Sequence, residues 1–135
     1  MTNEEMKERY PFLEFDEEGY SFLDDMPIGW KAAFGEQLCE ELRQLLLRAN
    51  FLDKYKVCQV KEKFGELRWY DDSGVPGKFL SEYYDLLDKY RDISRRTCVR
   101  CGQPAQYMTT GWIIPICKKC ADEINLSEEG LRPIE

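Results

Sequence analysis

Four of the six cysteines fall into two C-x2-C pairs, Cys98-Val99-Arg100-Cys101 and Cys117-Lys118-Lys119-Cys120, with fifteen residues between the pairs. Two residues between paired cysteines let a tight turn aim both sulfurs at one ion, and thiolates bind zinc tetrahedrally. The intervening length suits a hairpin that brings the second pair back onto the first. Gly102, directly after the first pair, fits the left-handed turn that ends such a knuckle, because glycine lacks the β-carbon that makes a positive φ costly. Disulfides or buried free thiols are the alternative, and the repeat of one spacing favours the metal. Cys98, Cys101, Cys117 and Cys120 are therefore the expected ligands of one Zn2+. A four-cysteine zinc has no position left for water or substrate, so the ion is expected to hold structure and perform no chemistry.

Other chemistry is thinly provided for. The chain has no histidine, which removes the commonest general base and the His-dependent nucleophiles. Catalysis would fall to carboxylates or lysines, and the acid pairs Asp24-Asp25 and Asp71-Asp72 read more readily as capping and turn residues. The glycines of the 71–77 loop carry neither a P-loop ending nor a dinucleotide fingerprint. An enzyme using carboxylates is thus the least favoured reading. The candidate binding residues are basic. Between Lys89 and Cys120 the chain holds seven bases against Asp92 alone, and Arg91, Arg95, Arg96, Arg100, Lys118 and Lys119 are a candidate anion or nucleic-acid face beside the zinc. The plainer explanation is that they offset the thiolates and the negative end of a helix.

The charge of the whole chain points away from nucleic acid. Of the formal −7, residues 1–50 supply all, with twelve acids against five bases, and the remainder is balanced. Such an acidic front repels phosphates and suits a protein partner, including one whose basic surface normally meets nucleic acid. With 43% hydrophobic residues, the composition is globular and long enough for one core with a small appendage. No apolar run is long enough to span a bilayer and no signal peptide opens the sequence, so a cytoplasmic setting is expected. Cys39 and Cys58 sit in helix and strand patterns and are expected to be buried thiols.

These residues must be positioned by a few elements. Glu4 to Arg9 reads as a short helix stopped by Pro11, followed by an irregular arm whose Phe12, Phe15 and Tyr20 should lie against the body with Glu14, Asp16, Glu17 and Glu18 outward. Asp24-Asp25-Met26-Pro27 reads as a helix start. Trp30, Phe34, Leu38, Leu42, Leu45, Leu46 and Ala49 then recur at helical spacing, Asn50 is a plausible terminator, and Gly35 implies close packing of another element. Residues 55–61 and 66–71 read as two strands of a hairpin turning at Glu62-Lys63-Phe64-Gly65. A second helix is expected over about 79–96, and its end delivers the first cysteine pair. Ala105 to Met108 and Trp112 to Ile116 can pair around Gly111, Pro115 suits an edge strand, and a short helix should follow Cys120.

The fold class expected is α+β: two amphipathic helices packed on a β-hairpin, with a C-terminal four-cysteine zinc module of treble-clef or zinc-ribbon type. The division is a body over 1–96 with its acidic N-terminal arm, a zinc module over 97–126 packed on it, and a loose tail over 127–135.

The run Val60-Lys61-Glu62-Lys63-Phe64-Gly65-Glu66-Leu67-Arg68-Trp69-Tyr70, followed by a helix, Thr97-Cys98-Val99-Arg100-Cys101-Gly102, Gly111-Trp112-Ile113 and a second metal pair, resembles a group of small bacterial and phage proteins of uncharacterised function. It covers the last two-thirds of the chain. The group's hairpin often reads V-K-E-K-F-G-G-L-R-F-Y and its last ligand is often histidine. Here Glu66 replaces the second glycine and Cys120 the histidine, which makes the site all-thiolate. The resemblance implies the architecture and a phage or prophage setting, and no activity. The expectation is a non-catalytic, zinc-stabilised binding protein with a protein partner, a modulator of a host protein in a phage setting, with nucleic-acid binding as the alternative.

Overall fold

The computed structural model describes residues 1–72 and 74–134, so Ser73 of the expected 71–77 loop and Glu135 of the expected tail lie outside it. Helix α1 (Asn3–Arg9) opens on a Thr2 cap and carries no buried residue. Pro11 ends it, and the arm that follows buries Phe12 and Leu13 while Glu14, Asp16, Glu17 and Glu18 face water. Phe15 is half-buried as expected, whereas Tyr20 is exposed and hands its hydroxyl to Asp25. Asp24 caps a 3-10 turn, Phe22–Asp25, in a reciprocal box with Ser21. The long helix begins just after it, at Ile28.

Residues 28–48 wind continuously in three parts: α2 (Ile28–Trp30), a π segment (Lys31–Gly35) and α3 (Glu36–Arg48). The π segment has a reason in the sequence. Trp30, Phe34, Leu38, Leu42 and Leu46 repeat every four residues, a spacing that drifts by about 40° per step on a 3.6-residue helix. A wider π turn takes back part of that drift, and all five side chains are buried. Gly35 lies inside the segment, where a β-carbon would stand 3.3 Å from Leu23 Cδ1, the close packing its presence implies. Asn50 ends the helix with φ 53°, and the Phe51 N–H returns to the Leu46 carbonyl at 2.9 Å, the left-handed stop expected of it.

Strands β1 (Val57–Lys63) and β2 (Glu66–Asp71) pair antiparallel. Helix α4 (Leu80–Ser94) packs on β2 and α3, and the buried Ser94 hydroxyl accepts the Leu67 N–H at 2.9 Å. Trp69 Nε1 donates to the Tyr55 hydroxyl, which is hydrogen-bonded to Tyr83, and Tyr83 donates to Asp71. This chain of phenols satisfies the polar atoms that the aromatic core carries inside with it. Cys39 is buried, but Cys58 is exposed, contrary to expectation. The ladder shifts register between Val57 and Gln59, so Cys58 is the extra residue of a bulge and its side chain leaves the buried face.

Beyond α4 the chain forms β3 (Tyr107–Thr109), β4 (Pro115–Ile116), α5 (Lys118–Glu123) and β5 (Leu131–Pro133). The small sheet has the order β4-β3-β5, all antiparallel, with Pro115 on an edge strand. The tail is therefore not loose as expected: Leu131–Pro133 fills the second edge of β3, and the Ile134 N–H adds a bond to the Gln106 carbonyl at 2.9 Å. The class is α+β, with the two amphipathic helices against the hairpin and the four cysteines gathered in one place.

Candidate metal centre

Each cysteine pair is placed by a different local device. The first follows α4 directly: Thr97 bridges Pro104, the Cys98 N–H bonds to the Gln103 carbonyl at 2.8 Å, and the Gly102 N–H returns to the Cys98 carbonyl at 3.0 Å. Gly102 closes this knuckle with φ +81°, as its position implies. The second pair starts α5. Cys117 is its N-cap, accepting the Cys120 N–H on sulfur at 3.4 Å, and Cys120 sits in the first turn. Knuckle, hairpin and ligand-bearing helix follow in the order of a treble clef.

The four Sγ atoms lie within 4.8 Å of one another, and those of Cys101 and Cys117 are 3.6 Å apart. Four thiolates about 2.3 Å from one ion stand about 3.8 Å apart in a tetrahedron, so the set is gathered closely enough to converge on a single metal ion. Cys98, Cys117 and Cys120 are buried and Cys101 is exposed at the rim. The thiols are not equivalent. Burial raises Cys98, but the N–H groups of Cys101, Cys117 and Arg100 outweigh it and bring the thiol down to about 7. Burial pushes Cys117 and Cys120 up. Four such thiols cannot all ionise side by side without a cation, and a bound metal displaces their protons.

The residues that join the site to the body, Gly29 and Trp30, are not ones that the spacing of the cysteines or the charges singles out. Gly29, in the first turn of the long helix, lies directly on the knuckle. Its N–H donates to the Val99 carbonyl at 2.8 Å. A β-carbon at Gly29 would fall on the Cys98 carbonyl oxygen and stand 2.7 Å from the Gly102 nitrogen. The next residue, Trp30, is fully buried and donates its indole N–H to the Thr97 carbonyl at 2.8 Å. Val99 joins the main core while Cys98 joins a second small core with Ile116, Cys117, Cys120 and Ala121. The only signal in the sequence was a glycine in the first turn of a helix, which costs stability unless another backbone must come close.

The six candidate basic residues are dispersed and partly neutralised. Arg91 pairs with Asp88 at 2.7 Å and Arg95 lies 3.9 Å from Glu66. Arg100 donates to the Cys120 carbonyl at 2.9 Å and approaches Glu123, and Lys118 pairs with Asp122 at 2.7 Å. Arg95 and Arg96 share a groove with Arg132, while Lys118 and Lys119 border a different one beside Cys101. Neither of these two grooves is lined by members of both groups. Of the aromatics nearby in sequence, Tyr107 packs against the small core, and Trp112 stands out at the hairpin tip, 78% exposed.

Fold and site together define a small α+β protein whose four paired cysteines are gathered where they could hold a metal ion. The chain matches no family model, no curated protein and no solved structure.

Proposed function

We propose that the chain is a non-catalytic binding protein held in shape by one structural zinc ion, and that its partner is a protein. The observation that carries the reading is the closed thiolate cage, fused through Gly29 and Trp30 to the main helix. Four soft sulfur donors in a tetrahedral set favour zinc over harder cations, and they leave no coordination position for a substrate. The acidic first fifty residues and the dispersal of the basic ones support protein over nucleic acid. A phage or prophage-encoded modulator of a host protein is the setting that the hairpin and cysteine motifs suggest. A cytoplasmic location is supported by cysteines that form no disulfide among the described residues, four of them gathered where they could hold a metal.

Two measurements test this. Elemental analysis of the purified chain is expected to return one zinc per molecule, lost in Cys98→Ser. Affinity capture from the native host with the zinc-loaded chain, followed by reconstitution with the purified partner, is expected to return a stoichiometric protein complex. Absence of stoichiometric metal, or of any partner above background, sinks the corresponding half of the reading.

A further inference from the structure

We propose that the cleft between the tips of the two hairpins is the docking surface for the protein partner, and that it receives an acidic segment anchored by one apolar side chain. The proposal rests on the protein-binding reading and adds a place and a chemistry to it.

Phe64 and Gly65 form the two-residue connection of the first hairpin, closing at the Lys63 and Glu66 pair, with φ values of 53° and 82°. Such a turn favours Asn, Asp or Gly at its first position, since a bulky side chain is sterically disfavoured at positive φ. Phe64 occupies it nonetheless, and its ring is 68% exposed. The residue serves neither the turn nor the core, and strain of this kind persists where it has a use.

The tip of the hairpin between the two cysteine pairs comes to meet it. A β-carbon at Gly65 would stand 3.2 Å from Met108 Cε and 3.3 Å from Ile113 Cγ2, so the two hairpins touch at this glycine. Beside the contact, Phe64, Trp112 and Ile113 border a cleft of about 340 Å³. Single exposed apolar residues are ordinary, but three from two separate hairpins around one cleft form a patch of the kind that marks interaction sites. Lys61 and Lys63 rim the cleft. Glu62 lines the cleft with them, and its carboxylate accepts the Gly65 N–H at 2.8 Å. Among the described residues no ion pair joins Lys61 or Lys63 to an acid, in contrast to the paired Arg91, Arg100 and Lys118.

An apolar cleft with two ammonium groups that pair with no acid among the described residues, one of them set 5.6 Å over the Phe64 ring, is complementary to a short segment that carries carboxylates beside a large apolar residue. A nucleic-acid strand could also stack on Phe64 and Trp112. It would bring a phosphate with every nucleotide toward a chain of net charge −7, whereas two lysines suffice for a few carboxylates. One wall belongs to the hairpin between the two cysteine pairs, so docking should require the loaded site.

The test pans the zinc-loaded chain against a display library of short random peptides. The enriched sequences are expected to place acids next to an aromatic or large aliphatic residue, and their synthetic, blocked forms to shift the emission of exposed Trp112. Phe64→Asn, Trp112→Ser and the pair Lys61→Glu/Lys63→Glu should each weaken binding by about tenfold or more. Metal content should persist in all, and Phe64→Asn should melt no lower than the parent because asparagine tolerates the left-handed turn. Enrichment of no acidic-apolar sequences, or binding indifferent to all three changes, overturns the proposal. Preferential binding of oligothymidylate, or a concentration-dependent dimer broken by Trp112→Ser, also overturns it and reassigns the cleft to nucleic acid or to a second copy. If the partner captured from the host binds the Phe64→Asn/Trp112→Ser chain as tightly as the parent, the docking surface falls while the protein-binding reading stands.

Discussion

Gly29 is the residue on which the metal site and the body meet, and a single methyl group there has nowhere to go. Its neighbours are backbone atoms of Cys98, Val99 and Gly102, which cannot swing aside as a side chain can. Gly29→Ala is expected to destabilise the chain by about 3 kcal/mol, the upper range for overpacking, and to weaken zinc retention at the same time. Urea melts and competition with a chromophoric chelator measure the two effects, and a loss of stability with metal affinity intact would contradict the coupling. A second residue-scale expectation concerns acid. The Arg9 guanidinium holds the Glu40 carboxyl down to about 2 against its partial burial, with help from Gln44 and Tyr10. A carboxylate depressed below its unfolded value of about 4.3 adds stability that is complete above that pH and disappears as pH falls toward 2. Solvent reaches this pair, so the contribution is about 1 kcal/mol at most. Stability curves of Glu40→Gln and the parent should converge over that interval and separate above it.

At the scale of elements, the start of the long helix depends on the knuckle, and the far end does not. The Gly29 N–H and the Trp30 indole both donate to the segment 97–99, and Trp30 also shares the main core with Leu42, Leu45 and Leu46, which make no such bond. Stripping the ion with a chelator, or Cys98→Ser, is expected to release the chain after about Arg96, since structural zinc contributes on the order of 10 kcal/mol in small modules. Hydrogen exchange should then accelerate at Gly29 and Trp30 as well as through β3 and β4, while the 42–46 turn and α4 keep their protection. Protection of Trp30 that survives metal loss would show that the helix start is held by the body alone.

For the whole molecule, charge decides what can approach. The front of the chain carries the full −7, and most of the candidate basic residues already answer an acid or a carbonyl. About four phosphate contacts on duplex DNA would give a log-log salt slope near −3.6. The expected result is weak or absent binding near physiological salt, with Arg95→Glu/Arg96→Glu leaving the salt series unchanged while zinc and helicity persist. Tight binding whose slope shrinks in that variant would make nucleic acid the primary partner.

What the sequence determined by itself was what short-range geometry encodes. Two residues between cysteines bring both sulfurs of a pair to one place, four-residue repeats wrap an apolar stripe on a helix, Gly102 and Asn50 mark left-handed stops, and these features appear in the structure where their spacing put them. The tertiary structure alone decided the rest. The knuckle meets the long helix across 67 residues of chain, and nothing local to Gly29 or Trp30 names that partner. The inserted residue at Cys58 reverses which side chains face inward, since a two-residue period cannot survive an extra position. The tail became a strand because β3 offered an open edge, and Phe64 and Trp112 stayed outside because the core was already filled by tyrosines and leucines from other elements. Local periodicity states which residues can share a face, but burial depends on which distant surface arrives to cover it.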